Sequence, residues 1–333
     1  MALADFDFVP DFGDPAAEAR TCRSDCALFD FSFLECARLE GSDARAVIET
    51  FIGRSLSTLG ESQICYALRV DADGHLVADL TIWRTGEASF EVMSGRREDI
   101  EDLLAYDCSR VSVTDLTLRS AIFAVQGPRT LDALRKLGDV GPIESLKYFT
   151  FDCSRLADID CRIGRLGYTG ETGVEIIVDR RDASALWKAL ASHVRAAGFV
   201  AIDMLRIEAG FVLFTNEFRL PVWPREAGLE KFRATKGPAM REISLVSFRA
   251  DADRISLPWQ PAGRLQRPTE AGAIAVTSAC DSVSAGGILG LGYVLAGNEA
   301  ATELHDSNGI FRNIRLTPKP FYDTAKRRPR APW

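Results

Sequence analysis

The densest run of chemistry-bearing residues is GRLGYTGETGVEI, Gly164 to Ile176, in which Gly167, Gly170 and Gly173 frame Tyr168, Glu171 and Glu175. Its GxxGxxG spacing is not the GxGxxG of a dinucleotide-binding turn. On spacing alone it is a glycine-rich turn joining two strands. A second run, AIDMLRIEAGFVLFTNEF from Ala201 to Phe218, reads as an amphipathic helix followed by a strand. By itself its Arg206 and Glu208 belong to a solvated or salt-bridged face. The eight cysteines (Cys22, Cys26, Cys36, Cys65, Cys108, Cys153, Cys161 and Cys280) form no CxxC pair, and there are only three histidines. No cluster has zinc spacing, so no metal site is expected, and the thiols read as reduced, mostly buried side chains of a cytoplasmic protein.

Two segments that must position such residues share one plan. CARLEG precedes SDARAVIETFIG: an extended run reaches Gly41, Ser42 can cap, and a short helix turns Val47, Ile48 and Phe51 inward. AIFAVQG precedes PRTLDALRKLG, with Pro128 at the helix start and Leu131, Leu134 and Leu137 on one face. Between them, QICYALRVDADGHLVADLTIWRTGEASFEVMSG alternates around DADG and RTGE turns, an antiparallel pattern. RREDIEDLLAY predicts a helix with Ile100, Leu103 and Leu104 inward. DASALWKALASHVRAAG predicts another, capped by Asp182 and ended by Gly198. After about residue 236 short strands and Gly/Pro turns suggest a separate all-β domain.

The net charge is −7 over 333 residues, which disfavours a nucleic-acid partner; the basic run Lys326, Arg327, Arg328 and Arg330 reads as a solvated tail. No stretch approaches the roughly 18 apolar residues of a membrane span, and the acidic start MALADFDFVPDFGD is no signal peptide.

Taken together, GYTGETGVE and DMLRIEAG resemble the signature region of the aminomethyltransferase (glycine cleavage T-protein) family. LFDFS (Leu28–Ser32) resembles that family's LFDxSH, and GHLVADLTIW (Gly74–Trp83) its GGIIDDLIVY. AVQGP (Ala124–Pro128) resembles LQGP, and PREAGL (Pro224–Leu229) matches an EAGL element. VTSACDSVSAGGILGLGYV resembles VTSG…SP…IGLGYV, and PFYD (Pro320–Asp323) the PFYDP of demethylase and sarcosine-type branches. The order holds over about residues 18 to 330. The resemblance implies an α+β fold, a three-domain cloverleaf around a central tetrahydrofolate pocket. Residues 1–36 with 119–235 would form the N-terminal domain, 37–118 a ferredoxin-like domain, and 236–333 a C-terminal β-barrel or jelly roll.

It also implies roles. Glu175 aligns with the carboxylate that binds the pterin's aminopyrimidinone edge, whose N–H donors a carboxylate accepts in pairs. Tyr168 aligns with a pocket aromatic. Tyr66 stands thirteen residues before Asp79, the family's spacing between a pocket tyrosine and its key acid, and Trp83 falls where the family often has another aromatic. Taken alone, Tyr66 and Trp83 read as ordinary core. Asp79 is the expected catalytic residue, orienting the folate amine and stabilising developing positive charge. Arg206 either binds the folate tail or pairs with Glu208.

Several departures, Phe33, Ser94 and Phe214 among them, lie at or near the substrate end. The family's histidine of FDxSH is Phe33, its asparagine of VVNA is Ser94, its arginine of ARD is Ile202, and its tyrosine of LYG is Phe214. The TPL…H…GW-MP-Y segment is absent. The resulting expectation is a transferase moving a methyl group from a small O-, N- or S-methylated substrate to N5 of tetrahydrofolate. A divergent glycine cleavage enzyme working with a lipoyl carrier protein is the alternative. A non-catalytic folate binder assisting iron–sulfur enzyme maturation is another. Its KGCYxGQE string has no counterpart in LEKFRATKGPAM, which lacks a cysteine.

Overall fold

A computed structural model describes residues 8–107, 109–233, 240–255, 265–306 and 308–333. Cys108, most of the RATKGPAM stretch and the 235/236 domain boundary lie outside them. In chain order the first elements are α1 (Pro15–Ser24), β1 (Ala27–Asp30), β2 (Glu35–Glu40), α2 (Ala44–Ile52), β3 (Ile64–Val70), β4 (Leu76–Gly86), β5 (Ser89–Ser94), α3 (Arg97–Leu104) and β6 (Ser112–Asp115). Next come β7 (Ser120–Gln126), α4 (Thr130–Leu134), α5 (Gly141–Glu144), β8 (Phe151–Leu156), β9 (Ile159–Gly164), β10 (Gly173–Asp179), α6 (Ala183–Ala191), β11 (Arg195–Ala196), α7 (Phe199–Glu208) and α8 (Phe214–Glu217). The last are β12 (Ile243–Asp251), β13 (Ala273–Ser282), β14 (Gly287–Leu295), β15 (His305–Asp306) and β16 (Arg312–Thr317).

The fold is mixed α/β with three sheets. The first has the order β11-β1-β7-β10-β9-β8, antiparallel except for β1 with β11. Alternation along β10 sends Val174, Ile176 and Val178 into one core with Leu186 and Leu190 of α6. Glu175 and Ile177 take the opposite face, where Ile177 joins Ile122, Ala124, Trp83 and Phe151.

The second sheet, β3-β4-β5-β2-β6, is inserted between β1 and β7. Strands β6-β2-β5-β4 follow the 4-1-3-2 order of a split βαβ unit, and β3 adds an edge strand. Its buried face packs Ile48 and Phe51 of α2 against Ile100 and Leu103 of α3, with Val47 and Leu104 at the margin.

The third sheet, β15-β13-β14-β12-β16, curls: Leu304 bridges Ile314, so its two edges approach each other. Among the described residues no helix is long and apolar enough to cross a membrane. Cys22, Cys26, Cys36, Cys65, Cys161 and Cys280 are buried free thiols, whereas Cys153 is exposed.

Several local expectations are corrected. Ser42 does not cap α2; Asp43 holds that position without a side-chain bond, and Ser42 Oγ donates to Asp43. Pro128 precedes α4 by two residues rather than opening it. The helix after Asp182 stops at Ala191, and Asp182 makes no cap bond. Pairing of Arg195 and Ala196 with β1 draws the chain straight, and Gly198 stands instead before α7. The strand expected directly after α7 is not formed over residues 211–218. The Glu217 carboxylate accepts the Leu213 N–H at 2.6 Å and winds residues 214–217 into a helical turn.

Candidate active site

Antiparallel β3 and β4 pair Leu68 with Asp79 and Tyr66 with Thr81, so Tyr66 and Asp79 are diagonal neighbours on one face. Tyr66 Oη donates to Asp79 Oδ2 at 3.2 Å. Leu76, Ala78, Leu80 and Ile82 point to the core, which leaves Asp79 half-buried on the alternate face. Burial pushes the Asp79 carboxyl up to about 6, against the opposing hydrogen bond from Tyr66. Glu217 reinforces the rise and Arg206 counters it. The Tyr66 ring meets Phe232 edge-on at 4.7 Å.

Glu175 forms a second pole. Its ladder partners are Ala124 and Gly164, which offer no bulk over it. The Trp83 indole fills the space over Gly164, where an added Cβ would lie 2.2 Å from the ring. Trp83 has no solvent-accessible surface; its Nε1–H donates to Thr81 Oγ1 and its ring packs on Phe151 at 5.2 Å. Glu175 is 7% exposed, and no hydrogen-bond donor among the described residues reaches its carboxylate. Burial alone raises its pKa to about 7.

Tyr168 stacks on Phe211 at 5.9 Å with planes 12° apart, and its hydroxyl donates to the Val212 carbonyl. The charge of Asp79 is felt by both Tyr66 and Tyr168, which places Tyr66, Asp79 and Tyr168 in one electrostatic neighbourhood. The glycines of the GYTGETG turn have a packing cause. Gly167 and Gly173 lie against the side chain of Gln126, where a Cβ would stand 1.8 Å and 2.6 Å from its atoms. Gln126 is held by bonds to Leu166 O, Val174 O and Thr169 Oγ1. The AVQGP and GYTGE runs are thus two halves of one packed unit. Gly170 adopts φ +80 over Ala209.

Arg206 is fully buried and does not pair with Glu208. Its guanidinium bonds Asp203, Glu217, the Phe211 carbonyl and Ser278 Oγ, which engages its donors with protein groups. Glu208 instead meets Arg23 at 2.6 Å, and accepts from Ser282 and Ser284. Arg23 also pairs with Glu171, whose other partners are Tyr322 and Arg328.

The four departing positions separate. Phe33 joins an aromatic group with Phe8, Phe31 and Phe199. Ile202 lines a neighbouring cleft of about 360 Å³ beyond β1, with Phe31, Phe123, Trp187 and Phe199. Ser94 is buried, and its Oγ donates to Asp99 at 2.6 Å. Phe214 packs on Gly95, where a Cβ would meet its ring at 2.5 Å.

Sequence reasoning missed Tyr148 and Phe149, whose rings meet edge-on at 4.8 Å beside the Glu175 pole. Phe149 has φ +65, a backbone state that a bulky residue rarely takes and that no sequence pattern announces. The cations Lys231, Lys326 and Arg330 were also missed. They come from two distant segments, and only the second was visible as a charge run.

The GCVT N-terminal domain family matches residues 8–236. An aminomethyltransferase of Moorella thermoacetica is 28% identical over 93% of this chain and 90% of its own length. One from Cutibacterium acnes is 29% identical over 76% of this chain and 73% of its own. The crystal structure of the glycine cleavage system aminomethyltransferase T from Bartonella henselae shares the fold, with a TM-score of 0.76 at 23% identity over 96% of this chain and 95% of that one. The matched span runs through both carboxylate poles and the GYTGE and LRIEAG runs, and the chain belongs to the GCVT family, that of the aminomethyltransferases.

Proposed function

We propose that the protein is a tetrahydrofolate-dependent one-carbon transferase, with Glu175 at the pterin edge and Asp79 at the reacting nitrogens. The observation that carries this reading is Glu175. A carboxylate this buried is ordinarily hydrogen-bonded, and this one has no donor among the described residues. An aminopyrimidinone edge supplies two N–H donors to one carboxylate, so the residues present fit the group. Tetrahydrofolate, when bound, supplies the nucleophilic nitrogen that accepts the one-carbon unit.

The chain's own residues then divide the work. Tyr66 fixes one oxygen of Asp79 and leaves the other to orient an amine or hold its proton. At neutral pH Asp79 is mostly ionised and stabilises developing positive charge. Tyr168 and Phe211 form an aromatic wall. Arg206 and Trp83 act as positioning residues, the first by holding the Phe211 loop and α8, the second by backing the strand opposite Glu175. On this reading the three sheets would be the leaves of a cloverleaf around the folate site.

For the donor, the first reading is a small methylated compound. In support, Phe33 is apolar and the Ser94 hydroxyl is already engaged by Asp99, so neither offers a polar contact to an aminomethyl group. The second reading is aminomethyl transfer from a lipoyl carrier protein, supported by the near full-length likeness to the Moorella aminomethyltransferase.

Anaerobic calorimetry with tetrahydrofolate and 5-methyltetrahydrofolate tests the pocket. Saturable binding is expected, weakened at least about tenfold in Glu175→Ala. No binding by the folded protein defeats the proposal. Asp79→Asn is expected to lower kcat by about 10²- to 10⁴-fold with folate affinity kept. Ammonia release from an aminomethylated lipoyl arm selects the second reading; 5-methyltetrahydrofolate formed from a methylated donor selects the first.

A further inference from the structure

Three cations each stand one aromatic ring away from a site residue. Lys326 Nζ lies 5.0 Å over Phe211, the ring stacked on Tyr168. Lys231 Nζ lies 4.8 Å over Phe232, which meets Tyr66, the partner of Asp79. The Arg330 guanidinium lies 5.8 Å over Tyr148, a ring that feels the charge of Glu175.

Among the described residues none of the three forms a salt bridge. The Arg330 guanidinium donates to the Lys326 carbonyl, at 3.5 Å. Acids are not scarce, with 47 Asp and Glu against 40 Lys and Arg. Elsewhere arginines find them; Arg97, for example, pairs with both Glu35 and Asp115. These cations instead feel one another's charge: burial holds the Lys326 ammonium below the ordinary lysine range, and Lys231 and Arg330 push it further down. Lys319 adds a fourth charge. Among the described residues its Nζ reaches the Ala227 carbonyl at 3.5 Å; its side chain keeps solvent access, yet the surrounding protein, followed by Lys326, pushes it down to about 8, with Glu217 and Glu230 opposing. Gathering like charges at a cleft is unfavourable in the free protein and favours an anionic ligand.

We infer that Lys231, Lys326 and Arg330, with Lys319 behind them, form a carboxylate-binding rim to the one-carbon transfer site. This rests on the folate reading above. A site of that kind meets carboxylates from two sources, the glutamyl tail of the folate and the acid group of an amino-acid-type donor. Lysine suits either, because it acts as a movable point charge rather than a planar fork.

The test compares the full chain with its Lys231→Met/Lys326→Met variant by calorimetry. The probes are tetrahydropteroate (which lacks the glutamyl group), tetrahydrofolate, and N-methylglycine titrated into tetrahydropteroate-saturated protein. If the rim takes the tail, the wild type binds tetrahydrofolate at least about tenfold tighter than tetrahydropteroate, and the variant loses that difference. If it takes the donor, N-methylglycine binding is lost in the variant while both pterins bind as before. Equal binding of every probe by the two proteins overturns the rim but leaves the folate reading standing. Failure of both pterins to bind the wild type overturns both. Thermal melts separate a structural role: removing mutually repelling charges should leave Tm unchanged or raised, and a lowered Tm would assign the lysines to stability instead.

Discussion

Burial raises the Glu175 carboxyl from about 4.5 to about 7, so the folded chain holds this proton more tightly than the unfolded chain does. Between those two pH values the folded state binds more protons, and stability therefore falls as pH rises. The penalty is complete above about 7 and is on the order of 3 kcal/mol. Glu175→Gln should accordingly match the wild type near pH 4 and be more stable at pH 8 in guanidinium melts. A constant difference between the two pH values would mean that the carboxyl has a partner. Folate affinity runs the other way. The acceptor is the ionised form, so affinity should rise as pH increases through 7 and then level off, which calorimetry at several pH values reads directly. At this scale the sequence was partly legible. Tyr66, Asp79, Tyr168 and Glu175 were named from motif order, whereas the exhaustion of Arg206 by Asp203, Glu217 and Ser278 depends on a partner in the third sheet that no local pattern shows.

The ladder of β9 and β10 holds Glu175 by keeping Gly164 opposite it and the Trp83 indole over that glycine. Gly164→Ala pushes a methyl into the ring and should destabilise by about 1–3 kcal/mol in urea melts. Trp83→Phe in the same chain should recover part of the loss; strict additivity of the two changes would show that the ring and the glycine are not coupled. Strand alternation made the second sheet readable in advance, because period-two burial is written into GHLVADLTIW residue by residue. Element ends were less readable. Helix α6 gives way after Ala191 because β1 offers Arg195 and Ala196 a parallel partner, and α8 replaces a strand because one carboxylate, Glu217, captures the Leu213 amide. Both outcomes come from tertiary contacts that override local preference.

At the scale of the molecule, a buried ionic cluster joins distant parts of the chain. Arg23 of α1 meets Glu171 of the glycine turn and Glu208 of α7; Ser282 and Ser284 reach Glu208 from the third sheet, and Tyr322 and Arg328 reach Glu171. Arg23→Met would leave the buried Glu208 without a cation and Glu171 with Arg328 alone, and a loss of about 3–5 kcal/mol is expected, with faster hydrogen exchange around residues 282–284 and 322–328. A loss below 1 kcal/mol would show the cluster to be incidental. The family resemblance implies three domains, yet nothing in a linear reading ties Arg23 of α1 to the glycine turn and to Glu208, since an arginine in a polar helix has no periodic signature. The insertion of the second sheet between β1 and β7 bears on the entropy of chain closure. Its first and last strands, β2 and β6, pair directly, Ala37 beside Asp115. Once that ladder forms, β1 and β7 need close only a short gap instead of a loop as long as the insertion. At about 0.6 kcal/mol per doubling of loop length, a roughly tenfold shortening makes closure about 2 kcal/mol less costly. Assembly is thereby biased toward the inserted sheet first, and β1 and β7, the second of which pairs with the strand of Glu175, are brought into register by a unit that has already folded.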